Sequence, residues 1–190
     1  GQGLEPLVLR GRQGQELKLR FINELDNEIW LHFFGVRGPS ALMTFNVGPG
    51  AGQAVECVFT PPDAGTFWIG PVADASQARD MGLSAILVVE EAATLPGLAD
   101  LVLALDDWKL DDSGAIEGDF GDIETMVGEG RLGNWFTVNN HYRPKLALKA
   151  QAFTRIRLIN VANVRSMGVL FKGHDPLLIA RDGQPVAPAP

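Results

Sequence analysis

Residues 17–23 read LKLRFIN, a run in which basic side chains alternate with apolar ones. Such alternation is typical of a half-buried β-strand, because successive side chains point to opposite faces. Similar runs recur at short intervals, divided by Gly, Pro, Asn and Asp, which is the pattern of a β-sandwich. Only 75–82 allows a turn or two of helix. The first series of predicted strands is 7–10, 16–23, 29–34, 41–45, 54–59, 65–70 and 83–89.

A second series of predicted strands follows and repeats a member of the first. TRIRLIN at 154–160 aligns with LKLRFIN, so that Arg157 falls on Arg20 and Asn160 on Asn23. Self-similarity of this kind indicates one fold unit used twice. The second series is 101–108, 135–140, 145–149, 153–160, 166–172 and 176–183.

The two series predict an all-β chain of two tandem Greek-key β-sandwich domains. The first domain covers 1–92 and the second covers 101–190, with a linker at 93–100 where small residues, a Pro and a Gly separate two strands. Aligned with the first domain, the second is incomplete because it lacks closing strands. We therefore expect the sequence to be a piece of a longer polypeptide.

Composition argues against two classes of partner. The chain has 16 Lys and Arg residues against 23 Asp and Glu residues, a formal net charge of −7 that disfavours nucleic acid and anionic lipid. The apolar run at 82–89 is far shorter than the roughly 20 residues of a transmembrane helix, so no membrane span is expected. Cys57 is the single cysteine, and its place in an alternating strand predicts a buried core thiol.

Acidic residues concentrate in the segment 106–131, where only Lys109 and Arg131 oppose them. A calcium-binding loop would need a D-x-D-x-D-G spacing followed by a distal Glu, and this segment lacks it. We interpret it as a solvated acidic loop. Its acidic residues are Asp106, Asp107, Asp111, Asp112, Glu117, Asp119, Asp122, Glu124 and Glu129.

A lone histidine, His32, lies in the apolar run IWLHFFG at 29–35. This run belongs to a set of segments that resembles the first two cupredoxin domains of the multicopper oxidases, the laccase-like enzymes. The resemblance covers nearly the whole chain in the order of the family. Its segments are IWLHFFGVRG (29–38), VGPGAGQAVECVFTPPDAGTFWIGPV (47–72), MGLSAILVVEE (81–91), LALDDW (103–108), GNWFTVNN (133–140), RIRLINVANVR (155–165) and GHDPLLIARDGQPV (173–186).

In that family, four histidines of these segments supply half of the ligands of a three-copper cluster, and the rest come from a C-terminal domain. By position the first falls on His32, whereas the others fall on Phe34, Gly70 and Val72. A phenyl ring, a hydrogen atom and an isopropyl group offer no lone pair to a metal. The resemblance therefore implies no copper cofactor in this chain, with His32 as the residual metal-ligand position.

The histidines are then given roles other than metal binding. His32 is interpreted as a hydrogen-bonded packing residue, and the ring of Phe34 is expected to fill volume above Gly70. His141 and His174 lie in predicted turns and are interpreted as turn residues. No catalytic residue is predicted.

Two functions of different classes remain open, and with them whether the protein is an enzyme. The first is a non-catalytic binding or scaffold protein, similar to the copper-free, cell-division-associated periplasmic relatives of the family. Its partner would be an unknown protein or its own missing C-terminal domain. The alternative is a laccase-like oxidoreductase of phenols or metal ions whose copper sites lie in that missing domain, and an H-C-H block after Pro190 would favour it. A small-ligand binder using a cleft between domains has no residue to recommend it. The resemblance implies a periplasmic or secreted location.

Overall fold

The computed structural model describes residues 5–50, 52–93 and 98–189, and the all-β prediction is confirmed. Its strands are β1 (Leu7–Arg12), β2 (Leu17–Asn23), β3 (Ile29–Phe34), β4 (Thr44–Val47), β5 (Gln53–Phe59), β6 (Gly65–Pro71), β7 (Ala85–Glu90), β8 (Ala99–Trp108), β9 (Trp135–Val138), β10 (Thr154–Asn160), β11 (Leu178–Arg181) and β12 (Gln184–Ala189). Its helices are α1 (Ser40–Met43), α2 (Ala75–Asp80) and α3 (Ile123–Val127). None of the helices in these ranges has the length and apolarity needed to cross a bilayer.

The chain divides into two compact units, which we call the sandwich unit and the three-stranded unit. The sandwich unit comprises Leu7–Ala73, Ser84–Thr94 and Val169–Pro190, and the three-stranded unit comprises Gly1–Pro6, Asp74–Leu83 and Leu95–Gly168. Of the predicted linker 93–100, residues 94–97 lie outside the described residues. The domain boundaries expected from the sequence stay a prediction.

The larger layer of the sandwich unit is a five-stranded sheet in the order β1-β7-β6-β3-β4. β1 pairs with β7 in parallel, and the other neighbours pair antiparallel. β7 carries the continuous apolar run AILVV, and every residue of that run is buried. A strand covered on both faces needs such a run. In the same strand order, β3, which carries His32, lies inside the sheet between β6 and β4.

The second layer of this unit is the antiparallel pair of β2 and β5. Four phenylalanines join the two layers, because Phe21 contacts Phe33 and Phe45, and Phe33 contacts Phe59, with ring centroids 4.8–6.0 Å apart. Cys57 on β5 is 1% exposed, and burial raises the pKa of its thiol. The predicted core thiol is confirmed.

The hairpin of β11 and β12 corrects one strand prediction. The sequence predicts a single strand over 176–183, but the chain turns at Asp182 and Gly183, whose φ angles are 48° and 73°. Two positive φ angles in a row are typical of a tight hairpin turn, and Asp-Gly is a strong sequence signal for it. A Cβ atom at Gly183 would also overlap the ring of Phe67.

Three further strand predictions differ from the structure. The segment 41–45 begins with the helical turn α1 after Pro39, so that β4 starts only at Thr44. The segments 145–149 and 166–172 form no strand. The first alternates and the second carries a short apolar run, but a strand also needs a neighbour for its backbone hydrogen bonds, and neither segment has one among the described residues.

The three-stranded unit is built on the sheet β10-β8-β9, with β8 parallel to β10 and antiparallel to β9. Helix α3 interrupts the acidic segment and was not expected from the sequence. Its first turn is capped by the Asp122 carboxylate, which accepts a hydrogen bond from the Thr125 backbone N–H at 2.8 Å.

The repeated asparagines end their strands with the same contact. The Asn23 side-chain oxygen accepts the Leu25 N–H at 2.9 Å, and the Asn160 oxygen accepts the Ala162 N–H at 3.1 Å. Asparagine favours such turns because its side chain bonds to the backbone two residues ahead. The likeness of β2 and β10 in sequence therefore extends to the turns that follow them.

Arg131 holds part of the acidic segment in a buried ion-pair cluster. Its Nε donates to the Asp80 carboxylate at 2.7 Å, and its other nitrogens donate to the Asp119 carboxylate and to the Glu117 carbonyl. The guanidinium carbon also lies 4.0 Å from the centroid of the Phe120 ring. The Arg131 and Asp80 side chains are only 5% and 6% exposed. The interpretation of 106–131 as solvated is therefore wrong for this part of it.

A second buried carboxylate lies on β8. Asp107 accepts hydrogen bonds from the Gly133 backbone N–H at 2.6 Å and from the Arg165 Nε at 2.7 Å. Its neighbour Asp106 has a pKa raised to about 7, chiefly because burial penalises the charged form. The charges of Asp107 and Asp80 add to the rise, whereas the Asp107 backbone N–H and Arg79 oppose it.

We predict that Arg131→Leu lowers the free energy of unfolding by about 3–5 kcal/mol, because it leaves the carboxylates of Asp80 and Asp119 without their buried partner. Urea denaturation measures the change. Arg37→Leu is the matched control, since Arg37 pairs with Asp63 at 2.8 Å but is 72% exposed. Its loss should leave the denaturation midpoint nearly unchanged. Equal losses in the two variants would contradict the role assigned to Arg131.

Asp106 should make stability fall as pH rises. Between about pH 4 and pH 7 the folded protein keeps a proton on Asp106 that the unfolded chain has released, so this group costs up to ~1.4 kcal/mol of stability per pH unit. Below that range both states are protonated, and above it both are ionised. In Asp106→Asn the free energy of unfolding should therefore decline less between pH 5 and pH 7.5. Denaturant titrations of both proteins across this range measure the difference, and parallel curves would contradict the assignment.

Candidate functional site

His32 lies on the face of β3 that points away from the core of the sandwich unit. Leu31 and Phe33 are buried, and Phe33 is completely so. Because side chains alternate along a strand, His32 and Phe34 share the opposite face with Trp30. Trp30 is exposed there, and the other two are half-buried.

The imidazole of His32 is held by its neighbours on this face. Its Nδ1 shares a hydrogen bond of 2.7 Å with the Thr44 hydroxyl, and Thr44 is its directly paired residue on β4. The ring also meets the Phe34 ring edge-on, with centroids 4.7 Å apart. The expected hydrogen bond and aromatic packing of His32 are both present.

Trp68, rather than Phe34, fills the space above Gly70. A Cβ atom at Gly70 would overlap the indole of Trp68, so that the indole lies directly over the glycine. Phe34 stacks on the indole of Trp68, with the ring centroids 4.5 Å apart and the planes 21° apart. The prediction that the Phe34 ring occupies this volume is therefore wrong. Phe34 supports the ring that does.

Val72, at the last of the four family positions, has an apolar side chain and offers no metal ligand. Val72 is 46% exposed, and its backbone N–H donates to the Trp30 carbonyl at 3.0 Å. In the three-stranded unit, His141 lies 2.9 Å from the Glu5 carboxylate. His174 is exposed, and its backbone N–H donates to the Phe171 carbonyl at 3.3 Å within a turn.

The residues at this position do not fit a copper ion. Copper in proteins takes several nitrogen or sulfur ligands. Here a single imidazole has one nitrogen engaged with Thr44, and its neighbours on β3 and β6 are Phe34, Trp68 and Gly70. Across residues 5–50, 52–93 and 98–189, no three His, Cys, Asp or Glu side chains are grouped so that they could hold a metal.

Sequence reasoning missed two residues of this face, Thr44 and Trp68. Thr44 falls inside a predicted strand, but only the register of β3 and β4 places it against His32. Trp68 lies two residues before Gly70, on the same face of β6. A tryptophan two positions from a glycine on one strand is thus a signal that could have been used, because the missing side chain leaves room for the indole.

Comparison with known proteins gives related chains, although no family model matches. The chain is 25% identical over 191 residues to the multicopper oxidase mco of Staphylococcus haemolyticus, with 93% of this chain and 40% of that protein aligned. It is 26% identical over 202 residues to the cell division protein FtsP of Xenorhabdus nematophila, with 100% of this chain and 41% of that protein aligned.

A solved structure extends this likeness to three dimensions. The multi-copper oxidase of Pseudomonas thermotolerans superposes on the whole of this chain with a TM-score of 0.88 and 34% identity. The chain covers 47% of that structure and thus spans less than half the length of the relatives described. Its sheets match the cupredoxin-like β-sandwich domains of such enzymes. The chain is therefore homologous to the laccase-like multicopper oxidases.

Proposed function

We propose that this chain belongs to a non-catalytic binding or scaffold protein, built on the multicopper oxidase frame without the copper ligands of its first domain. The observation that carries the proposal is the stack of Trp68 on Phe34 above Gly70. Aromatic carbon occupies the place where, by the family resemblance, imidazoles would meet copper. His32 remains there as a packing residue with Thr44.

The same stack makes the proposed loss hard to reverse. A histidine at position 70 would need the Trp68 indole to move, and a histidine at position 34 would remove the ring on which that indole stacks. Even then, Val72 would have to change as well. Several coupled substitutions, rather than one, separate this face from a ligand set.

The likeness to FtsP supports a role in an assembly rather than in catalysis. That relative is a cell division protein, and all of this chain aligns with it. By analogy, the partner of this chain would be another protein or a further domain of its own polypeptide. We place the protein in the periplasm or outside the cell on the family resemblance alone.

The alternative is an oxidoreductase whose copper sites lie in another part of the polypeptide. Its support is the 34% identity to the multi-copper oxidase of Pseudomonas thermotolerans, of which this chain covers 47%. Metal analysis of the longest natural form of the protein separates the two functions. Several copper ions per chain would favour the oxidase and contradict the scaffold.

We predict that copper does not stabilise the folded chain through His32. A ligand present at a free concentration of 100 times its Kd raises the free energy of unfolding by about 2.7 kcal/mol. Such a change is visible as a shift in melting temperature. Under a titration of Cu(I) and of Cu(II), the wild type and His32→Ala should show the same shift in melting temperature. A shift that His32→Ala abolishes would contradict the proposal.

We predict that Gly70→Ala lowers the free energy of unfolding by about 1–3 kcal/mol, because the new methyl group overlaps the Trp68 indole. In a Trp68→Leu background the same Gly70→Ala change should cost less, since the two substitutions act on one contact. Gly118→Ala is the control, because a Cβ atom there meets nothing within 4 Å. If Gly70→Ala is as harmless as the control, the space above position 70 is open and the argument from packing fails.

A further inference from the structure

A groove in the three-stranded unit lies beyond the ends of β8 and β9, and no step of the proposed function uses it. We call it the Trp135 groove. It is an open surface depression with a volume of about 460 Å³. It is lined by Leu110, Asp111, Asp112, Gly114, Asn134 and Trp135.

Hydrogen bonds among neighbouring residues in space hold the walls of this groove in place. The Asp111 Oδ1 accepts from the Ser113 N–H, the Ser113 hydroxyl and the Ala115 N–H at 2.6–3.0 Å. The Asn134 amide bonds to both the N–H and the carbonyl of Leu110, at 3.0 and 2.8 Å. The groove is therefore preformed, and the side chain of Asn134 is already engaged.

One wall is an exposed aromatic platform. Trp135 is 44% exposed and stacks on Tyr142, with centroids 4.4 Å apart and the planes 26° apart. The guanidinium carbon of Arg143 lies 5.0 Å from the centroid of the Tyr142 ring. The platform thus already attracts one guanidinium group, as aromatic faces do.

The other wall is anionic. The hydrogen bond from the Ser113 side chain is the main reason that the pKa of Asp111 lies below its ordinary value. Backbone N–H groups that bond to the same carboxylate lower this pKa further. Asp112 is exposed and has no hydrogen-bond or ion-pair partner among the described residues. Lys109, two residues before Asp111, is engaged with Asp119 and Glu117. The lining contains no Lys or Arg.

We propose that the Trp135 groove binds the guanidinium group of an arginine on a partner polypeptide. An indole face beside carboxylates is complementary to a cation, and tryptophan is the best aromatic partner for one. Arginine is favoured over lysine because its planar group stacks on a ring while it pairs with a carboxylate through two N–H bonds. The proposal involves neither His32 nor Phe34, so it stands or falls independently of the loss of copper ligands.

The test uses the full chain labelled with 5-fluorotryptophan and two acetylated, amidated tripeptides, Gly-Arg-Gly and Gly-citrulline-Gly. Citrulline keeps the shape of arginine but carries no charge. The arginine peptide should shift the Trp135 fluorine resonance, which Trp135→Phe identifies by its disappearance. The citrulline peptide should bind at least about fivefold more weakly. Equal binding of the two peptides would overturn the proposal.

Two variants locate the effect. Asp112→Asn removes a carboxylate of the groove and should weaken binding of the arginine peptide by about fivefold. Glu129→Gln makes the same charge change in the same acidic segment, outside the groove, and should leave the affinity unchanged. Equal weakening in both variants would reduce the effect to net charge and overturn the site. A resonance that responds to spermidine or to a disaccharide, but not to the arginine peptide, would overturn the ligand class.

Discussion

Alternation along β3 is the constraint on which the outer face of the sandwich depends. Phe33 is buried in the phenylalanine cluster, so His32 and Phe34 must point away from it. A slip of one residue would exchange the two sets and put an imidazole in the core. The pairing of β3 with β6 then sets Gly70 opposite His32 and Trp68 opposite Phe34. The ring stack on the outer face thus follows from the packing of the inner one.

Local patterns therefore predicted the sheet better than they predicted the site. Alternation and turn residues located most strands. They failed where a strand or a contact depends on pairing with a distant part of the chain. The segment 145–149 alternates as β10 does, but it has no neighbouring strand among the described residues. His32 was assigned its hydrogen bond, but its partner Thr44 required the register of two strands. The choice between Phe34 and Trp68 above Gly70 depended on a side-chain conformation that no strand pattern encodes.

The acidic segment was misread for a related reason. Its composition predicts a run of solvated carboxylates, and several of them, including Asp112, Asp122 and Glu124, are exposed. Arg131, however, reaches Asp80 on α2, a residue 51 positions away. Burying a charge is unfavourable unless a partner is in place, and only the fold shows that α2 brings one. Asp106 acquires its raised pKa in the same neighbourhood, so the charged residues of this unit depend on one another.

A ring stack and a metal centre would hold β3 and β6 together in different ways, so the proposed loss of copper ligands would change what the fold depends on. Ligands contributed by β3 and β6 would join the strands through a metal, and only while the metal is bound. Stacked aromatic rings join the same strands by their own contact, worth about 0.5–1.5 kcal/mol beyond the area they bury. On the proposed function, a frame of this kind would fold without any supply of copper. Selection on such a frame would then act on surfaces that meet partners, and the arginine site proposed at the Trp135 groove, where Asp112 has no ion-pair partner among the described residues, would be one of them.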